Sequence, residues 1–339
     1  VVNYWGYTPG FYFSPKSAYC STREPEQEFR YLIRELHKNG IELVLLAGDL
    51  FDSADAYRDT AESLSAALGQ MAAQVYIAPG NHDWYGPGSP YLTVEWPDNV
   101  HIFTQSRIEA LEWPEKNLVL HGAAFTAPEQ AEGFLTGFIA PADGRLHIGL
   151  LHGELAPSET RYDPLRREEI AESGLAYLAL GHIHKRTEAL TLGRTICAWP
   201  GCPEGRGFDE LGEKGFYAGV LEDSGAVSLT FVPFAGRKYE ILEVNVTGQD
   251  PRAAIEAALP FDTSRDLYRI ILTGETGAGG VHPSALQEAL AGRFYTLEIR
   301  DRTHLAEELW ARAEEDSLRG LFLKDLKARL DAAETDEVR

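Results

Sequence analysis

A run of five apolar residues that ends in a glycine and an aspartate is the feature that most restricts the fold of this chain. The run is Leu43-Val-Leu-Leu-Ala47, and Gly48 and Asp49 follow it directly. Five apolar residues in succession are typical of a strand that is buried on both faces of a sheet. Gly48 permits a sharp turn where this strand ends. We therefore expect Asp49 at the carboxyl edge of the sheet, where open α/β sheets bind their ligands.

Three later apolar runs end in the same way. They lead into Gly80-Asn81-His82-Asp83, His152-Gly153-Glu154 and Gly181-His182-Ile183-His184. Carboxylate, amide and imidazole groups would then gather at one edge of a sheet, which suits Mn, Fe, Zn or Co better than a thiolate site would. Two such ions about 3.5–4 Å apart can bind a phosphate and activate an attacking water. The four strand ends therefore predict a metal site for phosphate chemistry.

Composition narrows the class of protein. The 339 residues are 44% hydrophobic and 24% charged, as in an ordinary globular protein, and the net charge is -21. That charge argues against a broad basic groove for nucleic acid. It does not exclude a nuclease, because metal ions neutralise phosphate locally and a partner chain can supply positive charge.

Cysteine usage and hydropathy indicate the compartment. Cys20, Cys197 and Cys202 form no zinc-type pair, and we expect reduced thiols in the cytoplasm. There is no apolar stretch of transmembrane length and no signal-peptide pattern, so a membrane partner is not expected.

Periodicity predicts an α/β (α+β) fold with three parts. Helical spacing predicts helices at 24–38, 56–72 and 164–173, and the strands between them indicate βαβ units. The pattern breaks near 233–237, which predicts a first domain over 1–235. A small α+β domain at 236–300 and a charged helical tail at 301–339 follow. The predicted strands outside the motif ends are 100–103, 117–120, 194–198, 215–222 and 226–232, then 239–246, 267–273 and 294–299 in the small domain, with helices at 251–258 and 283–291.

Other common sites are missing from the sequence. No GxGxxG or GxxxxGK[ST] pattern is present, so a glycine-rich nucleotide loop is not supported. A GxSxG nucleophile elbow and a motif for cysteine catalysis are absent too.

The motifs GDLFD, GNHD, LLHGE and GHIH, in this order and spacing, resemble those of the calcineurin-like metallophosphoesterases over about residues 1–235. The segment from Trp199 to Phe216, WPGCPEGRGFDELGEKGF, is similar to one in SbcD-type DNA repair exonuclease subunits, and the helical tail resembles theirs. This resemblance implies a four-layer β-sandwich flanked by helices, a small α+β cap domain and a helical C-terminal tail.

The resemblance also implies roles for the motif residues. Asp49 would bridge two metals, and Asn81, His152 and His182 would complete the shell of the second. His184 would bind the first metal. His82 would lie near the phosphate, where it stabilises charge or protonates the leaving oxygen, and Asp83 would orient His82. Asp52 would bind metal or hold its loop.

The chain departs from the family pattern at its start. The family has a D-x-H motif on its first strand, whereas Asn3 and Trp5 stand about where this Asp and His would fall, and His37 lies in a predicted helix. An asparagine is a weak ligand, and a tryptophan cannot bind a metal. Either the sequence is incomplete here, or the first metal site has lost ligands.

Two residues outside the ligand set are candidates for substrate binding. Tyr85 would stack on a base, with packing as the alternative. Arg206 would contact phosphate, with exposure to solvent as the alternative. The histidines outside the motifs are expected to be structural or exposed: His101, His121, His147, His282 and His304.

Three hypotheses for the function remain open. The first is a two-metal phosphodiesterase, with Mn²⁺ as the expected ion and Fe, Zn or Co as alternatives, that cuts DNA in a repair complex. Its cap domain would select DNA ends, and its tail would dock an SbcC-like ATPase or pack on its own domain. A homodimer is expected from the resemblance. The second is a phosphodiesterase or phosphatase for small nucleotides, and the third is a scaffold that has lost the first metal.

Overall fold

The computed structural model describes residues 40–51, 58–156, 160–233, 236–277, 279–305 and 311–332. The predicted helix at 24–38, with His37, lies outside these ranges. So do Asn3, Trp5, Cys20 and Asp52, and the predictions made for them concern residues that are not described.

The first sheet holds three parallel strands in the order β1-β2-β3. The apolar run at 43–47 forms β1, and helix α1 leads from it to β2, which confirms the predicted βαβ unit. Leu64 and Leu68 of α1 pack against Val75 and Ile77 of β2. The side chains of β1 are half-buried rather than buried as predicted, since among the described strands β1 pairs with β2 alone. The elements are β1 (Leu43–Leu46), α1 (Arg58–Leu68), β2 (Gln74–Ile77), α2 (Pro90–Thr93) and β3 (Val100–Ile102).

The second sheet has six strands in the order β10-β11-β9-β6-β5-β4. Its central strands run parallel, and the outer strands β4 and β10 are antiparallel to their neighbours. The elements are β4 (Glu109–Trp113), β5 (Leu118–Gly122), β6 (Leu146–His152), β7 (Glu154–Leu155), β8 (Pro164–Leu165), α3 (Arg167–Glu172), β9 (Tyr177–Gly181), β10 (Leu190–Leu192) and β11 (Thr195–Ala198).

The two sheets pack face to face as a sandwich. Tyr76 and Phe103, from the first sheet and its edge, meet Leu120, Ile148 and Leu150 of the second in one buried cluster. The opposite face of the second sheet is covered by a further cluster that includes Ile170 of α3, while α1 covers the first sheet. This arrangement of helices outside two sheets confirms the predicted four-layer α/β sandwich. A hairpin of β12 (Gly215–Leu221) and β13 (Val227–Pro233) follows, at the positions predicted for two strands.

The described chain divides into two compact units, Val1–Glu240 with Arg265–Leu267 and Ile241–Ser264 with Tyr268–Arg339. The second has its own apolar core, which includes Ile255, Ile270 and Leu297. The predicted boundaries at 235 and 300 stay predictions. The elements of this region are β14 (Tyr239–Asn245), α4 (Pro251–Ala258), β15 (Leu267–Thr273), β16 (Glu275–Thr276), α5 (Pro283–Leu290), β17 (Thr296–Asp301), β18 (His304–Leu305) and α6 (Leu318–Asp331).

The helices were compared with the length and hydropathy that a membrane-spanning helix needs. Across the described ranges, each helix is too short or too polar to span a bilayer.

Candidate metal centre

Strand ends from both sheets bring four polar side chains together. Asp49 follows β1, Asn81 follows β2, His152 ends β6 and His182 follows β9. Asp49, His152 and His182 each present a ligand atom, and these atoms lie within 4.8 Å of one another. The amide oxygen of Asn81 lies 2.9 Å from His152 Nε2 and 3.1 Å from His182 Nδ1. Four of the predicted ligands therefore form one cluster.

The spacing of these atoms fits a shared ion. Ligands that each lie about 2.1 Å from an ion are roughly 3.0–3.4 Å from their neighbours in tetrahedral or octahedral geometry. The distance from His152 Nε2 to Asp49 Oδ2 is 3.2 Å. The contacts of 2.9 and 3.1 Å from the Asn81 oxygen to the two imidazoles are close to this range. The mixture of carboxylate, amide oxygen and imidazole suits a divalent transition metal.

The hydrogen bonds of His152 support the same assignment. Its Nδ1 lies 2.7 Å from the carbonyl oxygen of Ala47, and a carbonyl only accepts, so Nδ1 carries the proton. Nε2 then presents its lone pair toward the oxygens of Asp49 and Asn81. Three acceptors that face one another require a cation between them, either a proton or a metal. The cluster is therefore built to hold positive charge.

The titration of these groups agrees with that geometry. Burial lowers the pKa of His152, but the negative charge of Asp49 and hydrogen bonds to Asp49 and Ala47 outweigh it, and the pKa is raised. Burial raises the pKa of Asp49, but His152 and His82 lower it to about 2. Burial and repulsion from His152 lower the pKa of His182 to about 4. Asp49 is thus ionised and His182 neutral at neutral pH, as metal ligands must be, whereas the raised pKa of His152 means that a bound ion would take the place of its Nε2 proton.

The backbone is strained where two of the ligands lie. Asp49 has φ 52° and His182 has φ 85°, and both values fall in the left-handed region that side chains other than glycine rarely adopt. Such strain persists only where surrounding contacts enforce it, and it is concentrated at functional sites. In this chain, it turns both side chains toward the cluster after their strands end.

Asp83 supplies the contacts that hold the turn after β1. Its carboxylate accepts hydrogen bonds from the main-chain N–H groups of Asp49 (3.1 Å), Leu50 (2.7 Å), Phe51 (3.3 Å) and Gly80 (2.7 Å). The hydroxyl of Tyr91 donates a further bond of 2.6 Å. Asp83 thus ties the turn after β1 to the loop after β2. That Asp83 also orients His82 stays a prediction.

Two glycines allow the strand ends to approach. A Cβ at Gly181 would overlap the carbonyl oxygen of Ala47, the group that accepts from His152. A Cβ at Gly48 would lie 2.6 Å from His152 Nδ1. Glycine is therefore required at both positions by close packing of backbone against backbone and ring.

His184 lies apart from this cluster and pairs with a residue that the motifs did not reveal. Its Nδ1 is 2.7 Å from Oε1 of Glu210, and His184 is not among the mutually close ligand atoms of the described residues. Burial raises the pKa of Glu210, but the hydrogen bond with His184 and the charge of Arg206 lower it to about 2. Glu210 is the last residue of the Phe-Asp-Glu sequence within the 199–216 segment. This segment was the only sequence feature that could have pointed to Glu210.

The remaining candidates have different surroundings. His82 is half-buried, and its main-chain N–H donates to Asp49 Oδ1 at 2.9 Å. Tyr85 is half-buried against two apolar clusters, which agrees with the packing alternative. Arg206 donates from its main-chain N–H to Glu210 Oε2 at 2.8 Å, and its guanidinium lies 3.5 Å from Oε1.

Aromatic rings line the imidazoles of the cluster. The ring centroid of Phe125 lies 5.6 Å from that of His152, and the ring of Tyr162 lies 5.0 Å from His182. Neither residue stands in a motif, and both approach through loops, so no sequence pattern indicated them.

About half of the chain matches a known protein family. Residues 24–186 match the family Calcineurin-like phosphoesterase. The "Uncharacterized metallophosphoesterase YhaO" of Bacillus subtilis is 32% identical over 226 residues, which cover 64% of this chain and 54% of that protein. The "DNA double-strand break repair protein Mre11" of Methanopyrus kandleri is 21% identical over 313 residues, 83% of this chain and 66% of that protein.

The chain spans about half to two thirds of the length of these two relatives. The residues that match the family include all four strand ends, from Gly48-Asp49 to the GHIH motif at 181–184. Together with the ligand cluster formed by those strand ends, this match shows that residues 24–186 of this chain are similar to the calcineurin-like phosphoesterases, and this similarity supports a metal-dependent hydrolase.

Proposed function

We propose that the chain is a metal-dependent phosphodiesterase that cleaves DNA as the nuclease subunit of a repair complex. The observation that carries this proposal is the cluster of Asp49, Asn81, His152 and His182, whose spacing fits a divalent ion. Two ions, with Mn²⁺ expected first, would supply charge for the phosphate and an activated water. The alignment with the Mre11 protein and the 199–216 segment support DNA as the substrate.

The side chains divide the work of binding and proton transfer. Asp49 would hold an ion through the carboxylate that faces His152, and His184 would bind the first of the two ions. His82 follows Asn81 directly and hydrogen-bonds Asp49 through its main chain. We assign its imidazole to the phosphate, where it stabilises charge or gives a proton to the leaving oxygen.

A second candidate is hydrolysis of small nucleotides. The net charge of -21 favours it, because a strongly acidic surface repels a DNA duplex over a long range, whereas a small substrate needs only the local positive charge of the site. A scaffold without turnover is the third candidate, and the Asn3 and Trp5 positions motivate it.

One set of assays separates the three candidates. We expect Mn²⁺-dependent hydrolysis of both linear duplex DNA and a chromogenic phosphodiester, with no turnover after chelation. Hydrolysis of the small ester without action on DNA would favour the second candidate. No turnover of either substrate, in protein shown to be folded, would refute both enzyme proposals. Asp49→Asn should lose turnover, whereas Asp223→Asn, a control in the exposed turn after β12, should match the wild type.

The helical tail supports the proposed ATPase partner. Helix α6 exposes Leu318, Leu321, Phe322 and Leu326, with Leu318 88% and Phe322 64% exposed. This spacing places the four side chains on one side of the helix, and contiguous exposed apolar surface marks interaction sites. Phe322→Asp should weaken association with an SbcC-like ATPase in calorimetry while leaving turnover of the small ester intact. Unchanged association would argue that the tail packs elsewhere.

A further inference from the structure

We infer that Glu210 is a positioning residue that fixes the ring of His184 and presents its Nε2 atom to a metal ion. This inference rests on the proposed function, because it requires His184 to be a ligand. The motif that contains His184 does not contain Glu210, which lies 26 positions further along the chain.

The contact itself is direct and shielded from solvent. Oε1 of Glu210 lies 2.7 Å from Nδ1 of His184, and the Glu210 side chain is only 7% exposed. The side chain of His184 is 37% exposed. The carboxylate is therefore shielded from solvent, whereas the His184 side chain is partly exposed.

The chemistry of the pair determines which nitrogen binds a metal. An ionised carboxylate only accepts hydrogen bonds, so Nδ1 of His184 must carry the proton. Nε2 is then left with its lone pair for a ligand. His152 shows the same arrangement, because Ala47 accepts from its Nδ1 and Nε2 enters the cluster. Metal-binding histidines commonly have a carboxylate or carbonyl in this position.

Both members of the pair are fixed by further contacts. Arg206 donates to Glu210 from its main chain at 2.8 Å and holds its guanidinium 3.5 Å from Oε1. The carbonyl oxygen of His184 accepts from Lys214 Nζ and from the main-chain N–H of Cys202, each at 3.2 Å. The loop at 200–214 therefore holds the His184 backbone and, through Glu210, its ring.

This geometry also assigns a structural role to the 199–216 segment. The loop carries the carboxylate, the arginine that anchors it and the two donors to His184. A glutamine at position 210 would keep the shape of the side chain, but its amide would lack the charge that stabilises an Nδ1 proton. A shorter aspartate would not reach the ring from the same backbone position.

The test is metal binding by the full chain, measured without reference to turnover. Mn²⁺ would be titrated by calorimetry into metal-free wild type, His184→Ala, Glu210→Gln and Glu213→Gln. Glu213 is the matched control, because it lies in the same loop and its side chain is 52% exposed beside Lys238. We expect Glu210→Gln to lower the affinity for one Mn²⁺ ion about 10- to 100-fold. His184→Ala should lower the affinity for the same ion. Glu213→Gln should bind as the wild type does.

The outcomes separate this inference from the proposed function. If His184→Ala weakens Mn²⁺ binding and a folded Glu210→Gln protein binds Mn²⁺ normally, the positioning role of Glu210 is wrong. The role of His184 as a ligand then stands. If neither variant changes binding, both assignments for His184 fall. A wild type that binds no Mn²⁺ would overturn the proposed function, and the inference with it.

A second measurement needs no variant. Wild-type protein loaded with ¹¹³Cd and labelled with ¹⁵N at histidine should show metal coupling to Nε2 of His184 in NMR spectra. Coupling to Nδ1 would mean that the metal displaces Glu210 from the ring. That result would overturn the inference even if Glu210→Gln failed to fold.

Discussion

The two oxygens of the Asp49 carboxylate have different partners. Oδ1 accepts from the main-chain N–H of His82, and Oδ2 faces Nε2 of His152. The main-chain hydrogen bond from His82 therefore connects the loop that carries His82 to the ligand cluster. Consequently, the imidazole of His82 can be changed while the support of Asp49 remains.

His82→Ala tests that separation. Alanine retains the main-chain N–H that supports Asp49, so we expect unchanged metal content by elemental analysis. Loss of a group that assists proton transfer should lower kcat about 10²- to 10⁴-fold. Asp223→Asn serves again as the exposed control. Loss of metal together with activity would contradict the assignment of His82 to the phosphate.

Some contacts of single residues could be predicted, and others could not. Asp49, Asn81, His152 and His182 were predictable as strand-end residues, because parallel strands present their carboxyl ends at one edge of a sheet. The expectation of a single sheet was wrong, since the first two residues follow strands of the first sheet and the two histidines lie at strand ends of the second. The partners of Asp83 lie up to 34 positions away and are main-chain groups of a turn, so no residue pattern marks them. Glu210 reaches His184 through the conformation of a loop, which periodicity does not describe.

At the scale of elements, the end of β9 is pressed against the turn that follows β1. Gly181 leaves no room for a Cβ beside the carbonyl of Ala47, and that carbonyl fixes the ring of His152. Packing and ligand orientation therefore depend on the same pair of strand ends.

Gly181→Ala should damage both properties. We expect an added Cβ to push the Ala47 carbonyl away, which lowers the free energy of unfolding of metal-free protein by about 1–3 kcal/mol. Mn²⁺ affinity should fall as well, because the His152 ring loses its anchor. Urea unfolding and calorimetry would measure the two effects. Gly292→Ala, where an added Cβ meets nothing, is the control. Wild-type behaviour of Gly181→Ala would refute the close contact.

Strands β5 and β6 carry a second pair of imidazoles outside the candidate site. His121 Nε2 lies 2.8 Å from His147 Nδ1, and His147 Nε2 lies 3.0 Å from Asp143. The ring of Phe138 lies 5.0 Å from that of His121. Burial, followed by the charges of His147 and Arg145, lowers the pKa of His121 from 6.5 to about 4, although Asp143 acts in the opposite direction.

This pair should make stability depend on pH. The folded state releases the His121 proton near pH 4 and the unfolded state near pH 6.5, so the unfolded state gains protons first as pH falls. The free energy of unfolding should therefore fall between pH 6.5 and 4, by at most about 3 kcal/mol from this group. His121→Gln should reduce that loss in urea unfolding series, whereas the exposed His282→Gln should not. Equal slopes for all three proteins would disprove the role of His121.

Element prediction succeeded where periodicity is long. The helix predicted at 56–72 is α1 at Arg58–Leu68, and each strand predicted before a motif was found. Strand β4, Glu109–Trp113, was missed because its burial alternates but its hydropathy does not: Glu109 is half-buried, whereas Ala110 is exposed. The two-residue strands β16 and β18 are too short to show any period.

On the scale of the molecule, the ligand cluster links two sheets that are otherwise joined by apolar packing. Asp49 and Asn81 come from the first sheet, and His152 and His182 come from the second. An ion bound by all four would therefore cross-link the sandwich. All four of these residues belong to the first compact unit, and the second unit has its own apolar core.

Differential scanning calorimetry should detect that an ion stabilises the sandwich and leaves the second unit unchanged. We expect two unfolding transitions, one for each core. Mn²⁺ should raise the midpoint temperature of the sandwich transition only. At 100 times Kd, the ion should stabilise that unit by about 2.7 kcal/mol. Asp49→Asn should abolish the shift, and Asp223→Asn should retain it. An equal shift of both transitions would show that the ion acts beyond the sandwich.

The path of the chain between the two compact units has a consequence for biosynthesis. The chain leaves the first unit after Glu240 and returns to it only for Arg265–Leu267. In that return, Asp266 accepts from the main-chain N–H of Lys238, and Arg265 donates to the carbonyl of Gly236. A ribosome must therefore translate past residue 267 before the first unit can make these last contacts. Fragments cut at residue 240 would lack both hydrogen bonds, so a fragment meant to hold the complete first unit would have to include this three-residue return.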